Sequence, residues 1–276
     1  MTTRLLARTN PHPRDAKVTF QEEGHLYCIQ GIEQRPISVT TLIHIFFPQF
    51  DADKIIDKMM KSRNWAASKY FGQTKEVIKA GWDKNGEEAS KAGTAMHADI
   101  EHFLNQEPIL TPDCSEFRYF MAFWQGFQSV NPTYEPYRTE WLVYDEDKKL
   151  AGSIDCVLKH KVDGSVVILD WKRSKEIKKS NTFESGFPPF HKLPSCNFYH
   201  YTLQLNIYRH LLESKYGQRV AAMYIVVLHP NNATFEIHTI EKYDIASIWD
   251  ELLQKCWEYI AKNGHPGDNH KLLINV

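Results

Sequence analysis

The stretch that decides the fold is LAGSIDCVLKHKVDGSVVILDWK, residues 150–172: two apolar runs of alternating character joined at Asp163-Gly164. Runs rich in Val, Ile and Leu around an Asp-Gly pair read as a β-hairpin. Taken as a two-residue turn, this one pairs Val162 with Ser165 and, counting outward, Asp155 with Lys172. Side chains alternate along a strand, so Asp170 shares the face of Lys172 and stands diagonally from Asp155. Two carboxylates and an amine then converge inside strands that are otherwise apolar. A cross-strand Asp–Lys pair is most often a modest surface contact. Carboxylates crowded in an apolar setting repel unless a cation or a shared proton relieves them, and oxygen ligands on this scale suit Mg²⁺ or Mn²⁺.

Outward from the hairpin, TEWLVYD (139–145) reads as a third strand before it, and VAAMYIVVLH (220–229) and TFEIHTI (234–240) as two after it. Helical spacing predicts helices over 86–106, over Cys114 to Val130, over 197–217 with Gly217 as the stop, and over 244–262. Upstream, residues 17–29 read as a small hairpin, and Asp51 to about Lys79 as helical. That last stretch mixes Lys54, Lys58, Lys61, Arg63 and Lys69 with Trp65 and Tyr70, which suits a nucleic-acid surface, although a solvated helix face is the commoner meaning. Residues 173–196, with three prolines and several lysines, read as a long mobile loop.

The whole chain bounds the answer. Its 276 residues are 42% hydrophobic, carry 33 Lys+Arg against 34 Asp+Glu, and show no repeat or long linker. A single domain is expected, with 1–85 an N-terminal hairpin and helical region, 86–240 the core, and 241–276 a C-terminal helix and tail. Near-neutral charge argues against coating nucleic acid by bulk charge and leaves room for a local basic groove. No segment has the roughly 18 apolar residues of a membrane span, and the start lacks a secretory signal, so a soluble intracellular protein with no membrane partner is expected. Five scattered cysteines never fall in a CxxC spacing, which predicts free thiols and no cysteine-held metal.

Gly93, His97 and Glu101 recur four apart and hence share a helix face, as do Gln204 and Tyr208 on the later helix. Each pair is more often structural than functional. In order, however, GTAMHADIE, GSID, VVILDWK and QLNIY give GxxxH, GxxD, DxK and QxxxY. That series resembles the RecB-type branch of the PD-(D/E)XK nucleases. ISVTTLI and WDKNGEEASKAGTAMH are further similar to the mitochondrial genome maintenance exonucleases and their viral relatives, so the likeness spans roughly residues 36 to 230.

The resemblance implies an α/β restriction-endonuclease-like fold, a mixed central sheet flanked by helices with a helical N-terminal extension. It implies that His97, Asp155, Asp170 and the backbone carbonyl of Trp171 hold Mg²⁺ or Mn²⁺, with Asp155, Asp170 and Lys172 catalytic. Glu101 and Glu140 are implied as supporting residues or ligands of a second ion. Gln204 and Tyr208 are implied to position the nucleic-acid backbone; independently of the resemblance, Arg173, Lys175, Lys178 and Lys179 of the loop after the DxK strand are expected to contact the substrate's phosphates, with Phe183, Phe187 and Phe190 of the same loop able to stack bases. The iron–sulfur cysteines of some relatives are missing, since only Cys256 follows the QxxxY helix, and no GxxxxGK[ST] loop for a nucleotide is present. The implied activity is hydrolysis of DNA phosphodiesters from ends of single-stranded DNA in replication, repair or recombination, with helicase or repair proteins as partners. A structure-specific endonuclease and a catalytically idle binding module are the alternatives.

Overall fold

A computed structural model describes residues 4–266; the expected tail beyond 266 lies outside the described residues. After a short helix α1 (Leu5–Thr9), the strands β1 (Val18–Gln21) and β2 (Leu26–Ile29) form an antiparallel hairpin. A two-residue strand β3 (Ile37–Ser38) runs straight into α2 (Val39–Ile45), where the Ser38 hydroxyl caps the helix by accepting from the Thr41 N–H. Asp51 caps α3 (Ala52–Met60) and Thr74 caps α4 (Lys75–Leu104) in the same way. The helix expected over 86–106 is therefore the second half of a 30-residue helix about 45 Å long. Its first half leans on α3 through Lys75 with Asp53 and Asp57, and Lys79 with Asp53.

Helix α5 (Ser115–Val130) leads into the strands β4 (Tyr134–Asp145), β5 (Leu150–His160) and β6 (Val166–Lys172). Then come α6 (Asn197–Lys215), β7 (Val220–Val227), β8 (Glu236–Thr239) and α7 (Trp249–Asn263). The main sheet of the described residues is mixed: β3-β5-β6-β7-β8, with β4 also on β5. Its two faces carry separate apolar cores. Val157, Ile168 and Ile225 pack with α2, α6 and α7, whereas Leu158, Leu169 and Val226 pack with α4 and α5. This is a central mixed sheet flanked by helices, as the resemblance implies.

Two departures shape the site. The turn between β5 and β6 is longer than two residues: His160 N–H bonds to the Ser165 carbonyl at 2.8 Å, and Asp163 accepts from the Ser165 N–H and hydroxyl. The register is Cys156 opposite Leu169, which sets Asp155 against Asp170 and not against Lys172. The slip is by two residues, so every side chain keeps its face.

The second departure is β3. It pairs in parallel with Leu150 and Ala151 of β5, while β6 pairs only with Cys156 to Lys159. β4 occupies the other edge of β5 along its length, so β3 and β6 share one edge with a gap between them. Residues 152–155 face that gap. The two-residue length of β3 gave no alternating pattern to read.

Residues 173–196 also differ from an unstructured loop. They close on themselves through a bridge between Ser185 and Pro194, Phe187 N–H donates to the Phe46 carbonyl, and Phe190 is buried against Phe46 and Phe47. Phe190 is thus a core residue and not available for stacking.

Candidate active site

The gap in the sheet gathers the charged residues. Beyond the Cys156–Leu169 pair the two strands part, and the Trp171 N–H donates to Asp155 Oδ2 at 2.9 Å in place of a ladder bond. On the far side, β4 runs past β5 with Thr139 opposite Cys156 and Trp141 opposite Ile154. Glu140, between them, faces Asp155. Three carboxylates, Glu140, Asp155 and Asp170, therefore form a row across three strands.

Glu140 has φ +42°, a left-handed conformation costly for a residue with a side chain, by about 1–3 kcal/mol. Ser153 Oγ donates to Glu140 Oε2 at 2.8 Å and fixes the carboxylate there. Sequence reasoning missed Ser153, and a strained backbone leaves no signal in a sequence of ordinary residue types.

His97 reaches the row from α4, on one face of the sheet. Its Nε2 donates to the Trp171 carbonyl at 3.1 Å, which turns Nδ1 toward Glu140 Oε1 at 3.6 Å and Asp155 Oδ2 at 3.7 Å. The Trp171 carbonyl, implied as a metal ligand, here orients the histidine. Burial works against the imidazolium, but Asp155 and Glu140 outweigh it and push His97 up to about 9. Glu140 is held below the usual carboxylate range: burial would raise it, and pairing with His97 prevails. Asp155 goes the other way, to about 7, through burial first and then the neighbouring Asp170.

From the opposite face, α6 brings its own set. Lys172 Nζ is 2.8 Å from Asp170 Oδ2 and 3.5 Å from Gln204 Oε1, and it lies 4.7 Å from the centre of the Tyr201 ring. The Gln204 side-chain amide donates to the Tyr208 hydroxyl at 3.4 Å. Burial disfavours the charged lysine, yet Asp170 and Asp155 keep its pKa above the ordinary lysine value. Tyr201 is a further neighbour that the motifs did not include.

Gly152 of the GSID stretch has a steric reason. A Cβ there would sit 2.7 Å from Tyr208 Cε1 and 3.0 Å from its hydroxyl. Gly93 is different: a Cβ on it would meet nothing within 4 Å.

The remaining candidates lie outside this knot. Glu101 pairs with Arg4 at 2.8 Å, and burial carries it to about 7 against that arginine's pull. Arg173 Nε donates to Glu116 at 2.7 Å, so its guanidinium is engaged. Lys175, Lys178 and Lys179 are exposed.

Whether the knot suits a divalent ion can be judged from its atoms. One ligand atom each from His97, Glu140 and Asp155 lie within 4.8 Å of one another. An imidazole and two carboxylates form a donor set that could hold a divalent metal ion. Asp170 Oδ2 accepts no hydrogen bond beyond its ion pair with Lys172. The residues fit an ion that would relieve the crowded carboxylates.

A family model described as the PD-(D/E)XK nuclease superfamily matches residues 115–269, more than half of the chain. The match takes in Glu140, Asp155, Asp170, Lys172, Gln204 and Tyr208 and begins after His97. A solved structure described as "Crystal structure of SSO0001" is similar at 13% identity, covering 85% of this chain and 79% of that one with a TM-score of 0.33. No curated protein matches.

Proposed function

The chain belongs to the PD-(D/E)XK nuclease superfamily, metal-dependent nucleases of DNA, and we propose that it is an exonuclease acting on ends of single-stranded DNA in replication, repair or recombination. The observation that carries the reading is the Glu140–Asp155–Asp170 row beside His97 and the Lys172–Asp170 pair. The finer placement in the RecB-type branch, near the mitochondrial genome maintenance exonucleases, rests on the ordered motifs and on the Gly152–Tyr208 contact that joins GxxD to QxxxY.

In this reading His97, Glu140 and Asp155 would hold Mg²⁺ or Mn²⁺, with Asp170 beside them. A divalent ion bound there supplies Lewis-acid activation of the phosphate and of the attacking water. Lys172 does the rest of the polar work. Its ammonium, held charged by Asp170, orients the water and steadies the negative charge that grows on the phosphate. Gln204 fixes the lysine's direction, and Tyr208 fixes Gln204. The Trp171 carbonyl keeps His97 in one tautomer. Lys175, Lys178 and Lys179 contact phosphates further along the strand.

Hydrolysis of end-labelled linear and closed circular single strands, with Mg²⁺, with Mn²⁺ and with chelator, tests this. Loss of the linear strand alone supports the exonuclease, and cutting of the circle replaces it with an endonuclease. Binding without cutting in either metal leaves an idle module.

A further inference from the structure

The segment between β6 and α6 is braced around residue 183 by side-chain and backbone bonds. Asn181 Oδ1 accepts from the N–H groups of Phe183 and Glu184, and Asn181 Nδ2 donates to the Ser195 carbonyl. Ser195 N–H donates to the Glu184 carbonyl, and Gly186 N–H to that of Leu193. Further along, Phe190 anchors the segment in the core, and Gly186 passes so close that a Cβ would stand 2.7 Å from the Phe190 carbonyl oxygen. In this braced stretch Phe183 is 93% exposed, the most exposed large apolar side chain among the described residues. A ring held in water on a braced turn loses little freedom when something flat covers it.

The charges around it say what that is. Lys175, Lys178, Lys179 and Lys192 lie exposed along the same segment and attract a phosphate chain. Glu184, the next residue and also exposed, disfavours phosphate there, which leaves the ring a base. Both ends of the segment are at the active site: it leaves β6 directly after Lys172 and rejoins the chain at α6, which carries Tyr201 and Gln204. We infer that Phe183 stacks on an unpaired base of the strand being cut and so sets the preference for single-stranded substrate; this rests on the nuclease reading above. A paired base has both faces covered by its neighbours in the duplex, whereas an unpaired one offers a face.

Binding of a fluorescent single-stranded oligonucleotide with Ca²⁺ in place of the catalytic metal tests it, alongside cleavage in Mg²⁺ or Mn²⁺. Phe183→Ala should weaken binding roughly 5- to 150-fold, the range of one lost base–aromatic stack, with the loss in cleavage falling on KM. Phe183→Trp should bind like the parent, and an abasic deoxyribose-phosphate oligomer should bind the parent and Phe183→Ala alike. Equal binding of the single-stranded oligonucleotide by parent and Phe183→Ala overturns the inference. So does concentration-dependent self-association that Phe183→Ala removes while DNA affinity stays unchanged, which would assign the ring to a second copy of the chain. A parent that cuts no DNA overturns the nuclease reading instead, and the binding comparison still decides the stack.

Discussion

The Trp171 N–H donates to Asp155 Oδ2 at 2.9 Å where the strand ladder would otherwise continue. One carboxylate thus closes the end of the β5–β6 pairing and faces the candidate ion. The two duties separate by substitution. Asp155→Asn keeps an oxygen to accept from Trp171, so its metal-free stability should stay near the parent's. Asp155→Ala leaves that buried N–H unpaired and should lose about 1–3 kcal/mol. Urea denaturation in chelator compares them, and equal stability of the two variants would contradict the structural duty.

Metal binding should grow with pH. His97, raised to about 9, and Asp155, raised to about 7, must both lose protons to act as ligands. Both raised groups stabilise the metal-free fold below their unfolded values, and that stability is lost as pH climbs through 7 toward 9. The rise in Tm on adding Mg²⁺ or Mn²⁺ should therefore be larger at pH 8 than at pH 6. Thermal melts at both pH values check this; an equal rise would contradict the proposed ligands.

Gly152→Ala should destabilise the protein by about 1–3 kcal/mol, because the new methyl overlaps the buried Tyr208 ring. Tyr208→Leu should restore part of the loss in the double variant. A double-mutant cycle by denaturation measures the coupling, and strictly additive losses would contradict the contact.

The basic residues after Lys172 should divide into two behaviours. Neutralising Lys175, Lys178 and Lys179 together should lower the slope of log affinity against log salt by about 2, from roughly 0.7 per single-strand phosphate contact. Arg173→Ala should leave that slope alone and cost stability, since Glu116 already holds its guanidinium. Salt titrations of oligonucleotide binding distinguish them.

How far the site could be read from the chain follows from these same residues. Asp155, Asp170 and Lys172 were legible because charges interrupt apolar strands, and an error of two in register left their shared face intact. The pairing itself was not legible: Asp163-Gly164 looks like a tight turn, and the side-chain bonds of Asp163 to Ser165 that lengthen it have no periodic signature. Glu140 stood out weakly because its place depends on a left-handed backbone and on Ser153. Long-range choices hid the rest. Arg173 met Glu116 from a helix 57 residues earlier, and Phe190 turned into the core from a segment with no alternation at all.

The central claim is that Lys172 acts on the phosphodiester beside a metal held by its neighbours, and one paired measurement tests it most directly. Single-turnover cleavage of a single-stranded oligonucleotide is compared between the parent and Lys172→Ala, with metal affinity of each by calorimetry. The account predicts cleavage slower by roughly 10²–10³-fold with metal binding retained, whereas Asp170→Asn should weaken metal binding itself. Cleavage by folded Lys172→Ala at the parent rate would contradict it.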